Sequence, residues 1–408
     1  MAQRRSEIFL TLADNMFTFF SNACECMTDT EHISKTEVKE TLKMKSHENA
    51  QLRFAFAPEK GLVKILDTGA VGSERILTEL ISLSDTDRTA LESFFENYGF
   101  FFPVNNERLE AVEMNSVWGV VKRVKAVVLL MSELESAQKN YKRLLALVLY
   151  LLMESPAEIK VSAYEEPYVT CSHPFYNAYR NLAQIPEADG SRDAFSGDTY
   201  QIRDTIYGPQ FPLNINDYND IISGTLTHPG AAQSEFFKNI TYLYRNAADA
   251  GDECRQIIDF LFHFQSDISI ITSWNPLGKL TLSENEAACT LRYREAFGEE
   301  MKDALLKIAK TVIKEELDYN LSGVLPVYDI KTMAPSWYIT DLLTGLYFAV
   351  FYMRPGIELY RRCANPSCNR YFLIKTTSAK QKYCDTSCGN AAAQRNHRKR
   401  VKERSGQQ

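Results

Sequence analysis

Cys363-Ala364-Asn365-Pro366-Ser367-Cys368 is followed, after the fifteen residues Asn369 to Tyr383, by Cys384-Asp385-Thr386-Ser387-Cys388. Four residues separate the first two cysteines and three separate the second two. Two close pairs at this spacing let two short loops fold back on one tetrahedral ion, the preference of zinc for thiolate ligands. Asn365-Pro366 is turn chemistry, and Tyr371-Phe372 suits a strand leaving a knuckle. Ser387 to Gln394 reads as helix, which places Cys388 on a first turn where the backbone dipole favours a thiolate. The expectation is a treble-clef-like finger holding one structural zinc ion through Cys363, Cys368, Cys384 and Cys388.

A basic run follows the last cysteine. Arg395, Arg398, Lys399 and Lys402 recur at threes and fours, so one helix face can present them, with Arg400 beside them, to phosphates. Arg370, Lys375, Lys380 and Lys382 extend the same charge. From Arg354 to Gln408 there are thirteen Lys and Arg against three acids, a difference of +10. The rest of the chain holds 33 basic and 49 acidic residues, a difference of −16 within the overall −6. An acidic body with a basic tip points to an anionic partner at that end, DNA or RNA, or to contact between tip and body. The alternative is a solvated terminal helix, with the zinc acting only as a staple and the body binding a protein or a small ligand.

The same residues resemble a known family. The Cys363 to Cys368 knuckle, Tyr371-Phe372, Tyr383-Cys384-Asp385-Thr386-Ser387-Cys388-Gly389-Asn390, and His397-Arg398 are similar to the CGNR zinc finger of bacterial proteins. Members often carry it at the C-terminus behind an α+β domain and are described as transcription regulators, so the resemblance implies zinc binding and DNA binding. Asn97-Tyr98-Gly99 before aromatics also resembles a pattern in uncharacterised bacterial proteins with such a tail. The arginine that names the family is Ala391 in this sequence, a usual lysine is Ala393, and the expected basic pair before the third cysteine is Gln381-Lys382. The ligands carry over at all four positions and the DNA-contacting surface only in part.

At 408 residues the chain exceeds what one core usually serves. Nine cysteines are too few and too scattered for a disulfide scaffold, which suits a reducing compartment. Arg4 and Arg5 followed by Glu7 and Asp14 do not read as an export signal. Leu144 to Met153 and Leu342 to Met353 are each about half the length of a bilayer crossing. A cytoplasmic protein without a membrane partner is expected. No phosphate-binding glycine loop or nucleophile elbow occurs, so no enzyme activity and no catalytic residue is expected. Cys171 and His173 lack an orienting third group nearby and read as a surface loop. Asp217, Asp220, Glu165 and Glu166 read as acidic loops rather than a magnesium site.

Along the chain, Leu52, Phe54 and Phe56 alternate before Pro58 to Gly61 and Leu62 to Leu66, which predicts a hairpin. Ile76 to Ile81 suits a short helix, and Ser84 or Asp85 is placed to cap a second one ending at Gly99. Glu107 to Met153 reads as two helices. Glu158 to Gly230, with six prolines, reads as long loops or a boundary. Helices are expected from Ser234, around Ile257 to Phe264, and from Glu284 to Leu317. A strand is expected from Gly323 to Lys331, then a helix capped by Ser336. The fold class is α+β, a predominantly helical body with the C-terminal finger docked on it. The expected divisions are 1–156, 157–356 and 357–408.

Overall fold

Aromatic residues alternate at Phe17 and Phe19 and again at Phe54 and Phe56, and all four are buried. Period-two burial makes them one face of a sheet. In the computed structural model β1 (Phe17–His32) and β2 (Val38–Ala57) pair antiparallel with Phe17 opposite Phe56 and Phe19 opposite Phe54. The rings stack across the strands at 5.2 and 5.0 Å between centroids. Cross-strand aromatic pairs stabilise a sheet by about 0.2–1 kcal/mol each relative to a pair of alanines. The structure describes residues 17–34, 38–57, 61–72, 75–85, 87–183, 205–206, 234–246, 250–283, 296–330, 333–353, 358–368, 370–375 and 380–405.

β2 is long enough to take two partners on its other edge. β3 (Gly61–Ile65) pairs with Arg53–Ala57, giving the expected hairpin, and β4 (Glu110–Glu113) pairs with Thr41–Met44. β4 lies inside a stretch that reads from sequence only as helix. α1 (Ile76–Ser82) and α2 (Arg88–Tyr98) follow β3, each with an apolar face buried. Ser84 and Asp85 do not cap α2. The helix starts later, and Asp87 accepts the Ala90 N–H at 3.0 Å. Gly99 ends it at φ 78°, and a Cβ there would stand 2.5 Å from the Asn22 carbonyl oxygen. Phe100, Phe101 and Phe102 are core, as expected.

Two compact units divide the chain. The first comprises residues 1–128, 156–170 and 317–408, and the second residues 129–155 and 171–316. Besides the four-stranded sheet, the first unit holds β5 (Glu158–Ile159) paired with β6 (Tyr168–Val169), and β9 (Leu325–Asp329) paired with β10 (Ala334–Tyr338). It also holds α9 (Leu342–Phe351) and the hairpin of β11 (Glu358–Arg362) with β12 (Tyr371–Lys375). α9 is capped by Asp341, which accepts the Thr344 N–H at 2.7 Å. Ser336, the expected cap, lies in β10. On α9, Gly345 lets the Phe19 ring approach so closely that a Cβ would stand 2.4 Å from its Cζ.

The second unit is built on α4 (Tyr141–Met153), α5 (Pro174–Ala183), α6 (Glu235–Asn246) and α7 (Asp252–Asp267), with the pair β7 (Ile271–Trp274) and β8 (Leu280–Leu282). Every residue of α4 from Leu144 to Leu152 is buried, which explains its unbroken apolar run. α6 and α7 meet through Tyr244 and Phe262, stacked at 4.0 Å. α3 (Met114–Leu134) and α8 (Glu299–Asn320) are long helices, and α10 (Thr386–Ser405) ends the described chain. Ten helices and twelve strands in several small sheets are thus seen among the described residues. The fold is mixed α and β. Leu291, in the expected long helix, lies outside the described residues, as do Asp217 and Asp220. Among the described residues no helix is long and apolar enough to cross a membrane.

Candidate metal centre

The Cys363 to Cys368 knuckle joins β11 to β12. The Cys363 N–H donates to the Arg370 carbonyl at 3.0 Å, and the Cys368 N–H to the Asn365 carbonyl at 2.8 Å. These bonds fold the turn so that both thiols face the same side. The second pair sits at the start of α10, where Asp385 is the N-cap. Its Oδ1 accepts the Cys388 N–H at 2.8 Å and the Ser387 hydroxyl at 2.6 Å. The Ser387 hydroxyl, the Cys388 amide and the Arg370 guanidinium hold the Asp385 carboxyl well below the usual carboxylate range. Arg370 reaches it at 2.8 Å.

The four sulfurs all lie within 4.8 Å of one another. Cys368 Sγ is 3.8 Å from Cys384 Sγ, which is 3.7 Å from Cys388 Sγ. Thiolates about 2.3 Å from a zinc ion at tetrahedral angles stand about 3.8 Å apart, so these edges match. Burial opposes charge on Cys368, but the Arg370 amide and guanidinium, with hydrogen bonds from the Cys384 and Cys388 thiols, outweigh it and bring the thiol down to about 7. The Cys384 thiol is pushed up by burial and by its sulfur neighbours. Thiols crowded this closely cannot all ionise without a cation among them, so the donor set fits a metal.

Leu359, Phe372, Ile374, Cys363 and Cys388 form one buried cluster, with Tyr383 against it. β12 is also tied to α1: the Tyr371 N–H donates to Ser82 Oγ at 2.9 Å. Lys125 lies over the Tyr371 ring, 5.0 Å from its centroid. The finger is therefore docked on its own unit, as the missing linker in the sequence suggests.

The basic residues separate into two groups. Arg395 turns back onto the knuckle, where its guanidinium donates to Ser367 Oγ at 2.7 Å and to Asn365 Oδ1. Arg398 is exposed, as are Gln394, Asn396 and His397. Lys399, Arg400 and Lys402 belong to α10, but their side chains lie outside the described residues, as does that of Lys375. Lys380 and Lys382 are exposed. Ala393, where the family usually has lysine, is an exposed methyl on α10.

Cys171 and His173 are not a surface loop. Both are buried immediately before α5, within hydrogen-bonding reach of Glu315 and Glu316 on α8. Nothing local in the sequence marks this, because the partners lie more than 140 positions away. Glu165 and Glu166 are exposed.

Residues 360–401 match the family model of the CGNR zinc finger. No curated protein and no solved structure matches the chain. The matched segment begins just before the first cysteine and ends within α10, and it contains all four clustered thiols. The C-terminal segment of this chain is a CGNR zinc finger.

Proposed function

We propose that the finger holds one structural zinc ion in a treble-clef arrangement of hairpin knuckle and helix. In this reading α10 then presents its basic outer half to the phosphate backbone of nucleic acid. The role is that of a DNA-binding regulator of transcription. The observation that carries the reading is the form of α10. Its first turns are fixed at the thiol cluster, and Asn396, His397, Arg398 and Val401 are all exposed. A helix end whose described side chains beyond Arg395 are all exposed gains little from tertiary packing. A polyanion along its cationic side would supply the missing interaction, mainly without sequence choice. Arg398, Lys399, Arg400 and Lys402 are the phosphate contacts in this reading, while Arg395 serves by bracing the knuckle. Zinc supplies the cross-link that fixes the start of α10.

The test is fluorescence anisotropy of labelled DNA and RNA with the zinc-loaded protein over a salt series. An Arg398→Ala, Lys399→Ala, Lys402→Ala variant is measured beside it. The expected result is binding that weakens steeply with salt, and a variant that loses affinity and about two to three units of the log–log salt slope. Absence of salt-dependent binding to either nucleic acid would overturn the reading.

The Tyr371 to Ser82 bond and the Arg395 brace favour a second reading, in which the finger only staples the C-terminus to α1. Under it the same triple variant retains full function of the body, which recognises a protein or a small ligand.

A further inference from the structure

In the second unit, Cys171 and His173 stand on the segment entering α5, and Glu315 and Glu316 are consecutive on α8. The His173 ring, 1% exposed, is held between the two carboxylates. Nδ1 meets Glu315, and Nε2 lies 3.0 Å from Glu316 Oε1. Glu316 is fully buried, and Cys171 Sγ is close enough that it, a His173 nitrogen and a Glu316 oxygen all fall within 4.8 Å of one another. Glu315 is partly exposed, and its backbone carbonyl is 3.9 Å from Cys171 Sγ.

We propose that Cys171, His173 and Glu316 form a second metal site, separate from the finger, for a divalent ion of the zinc class, with Glu315 orienting the histidine. The Nδ1–H of a neutral imidazole donates to Glu315, which fixes the tautomer and directs the Nε2 lone pair toward Glu316, with Cys171 Sγ within 4.8 Å of a ring nitrogen. A carboxylate behind the distal ring nitrogen is the usual device for orienting a ligating histidine. The lone pair then faces a carboxylate oxygen across 3.0 Å, an arrangement that repels unless a proton or a metal ion lies between them. Charge points the same way. A divalent ion bound by one thiolate, one neutral imidazole and the Glu316 carboxylate is balanced, and Glu315 keeps its charge near solvent. One sulfur, one nitrogen and one oxygen donor suit zinc or cobalt better than magnesium or calcium. Three protein ligands leave the fourth tetrahedral position for water or a small ligand.

The experiment measures metal per chain by elemental analysis after expression with added zinc and desalting. It uses the full-length protein with all four finger cysteines changed to serine, so the finger cannot contribute. One zinc ion per chain is expected to remain in this variant. Adding Cys171→Ala or Glu316→Gln in that background should remove it, whereas Cys254→Ala, a buried thiol outside the cluster, should not. Cobalt in place of zinc should give a single-thiolate charge-transfer band that Cys171→Ala abolishes. No bound ion in the finger-disabled protein would overturn the proposal and leave His173 as an imidazolium clamped by its carboxylates. So would an ion that survives both cluster substitutions. The zinc count of the unaltered finger is read separately, from the difference between the wild type and this background.

Discussion

Asn365 stands against Cys388: its Nδ2–H donates to the sulfur at 3.3 Å, while its Oδ1 accepts the Arg395 guanidinium. One buried amide thus links the knuckle to a thiol on α10 and to a cation two turns further along. Donors to a metal-bound thiolate hold it in place and spread its charge. Asn365→Ala, and separately Arg395→Ala, should each lower zinc affinity by about 10–100-fold, the usual effect of losing a group that orients a ligand. Competition against a chromophoric chelator measures this. Arg395→Lys should not restore affinity, because the fork that spans Ser367 and Asn365 is lost with the guanidinium. Unchanged affinity in Asn365→Ala would show that the amide only fills space.

Removal of the metal should release α10 and leave the rest of the first unit folded. The helix is anchored by the thiol cluster and by Asp385, and beyond Arg395 its described side chains are exposed. Without the cross-link its residues have too little packing to remain helical. Treatment with a strong chelator should therefore lower far-UV ellipticity and open Arg395 to Arg404 to trypsin. The stacked Phe17, Phe19, Phe54 and Phe56 sheet should stay protected. Unchanged cleavage on chelation would mean that α10 does not depend on the ion.

The finger was legible because its information is local. The ligands sit at short spacings, and a turn, a strand and a helix cap lie among them. Periodic apolar runs likewise gave α1, α2, α4, α7 and the start of α6 at Ser234, whose Oγ accepts the Phe237 N–H at 3.1 Å. Cap positions were less legible. Asp87 and Asp341 won over Ser84, Asp85 and Ser336, because several side chains near a helix start can cap and only the backbone path selects one. β4 was hidden by its brevity. The Cys171, His173 and Glu316 cluster was invisible for a different reason: Glu315 and Glu316 look like the solvated side of an amphipathic helix, and only the approach of the segment before α5 to α8 shows that one of them is fully buried.

Gly345→Ala should destabilise the first unit. The new methyl would meet the edge of the Phe19 ring, and that ring is stacked on Phe54 and cannot retreat freely. Overpacking of this kind costs about 1–3 kcal/mol. The midpoint of urea unfolding, followed through the first unit, should fall accordingly. Phe19→Leu in the same chain should recover part of the loss, a coupling that independent sites would not show.

Lys125 supplies a pH dependence with a definite sign. Its ammonium donates to the Leu83 carbonyl at 3.2 Å and lies against Tyr371. Burial, with the nearby Arg362 charge, pulls it down to about 8, and Asp85 opposes this. An unfolded lysine titrates near 10.4. Between those two values the unfolded chain holds a proton that the folded chain has released, so the stability of the first unit should rise with pH across that window. Below about 8 both states are charged, and the full cost of burying the ammonium is present; above the window both are neutral. The whole effect is on the order of 3 kcal/mol at most. Lys125→Met removes the titrating group while keeping an apolar stem beside Tyr371. Its stability relative to the wild type should be highest near neutral pH and should decline as pH rises from 8 toward 10.5. A difference between the two proteins that stays constant over this range would show that Lys125 titrates normally and that its contact with Tyr371 is open to water.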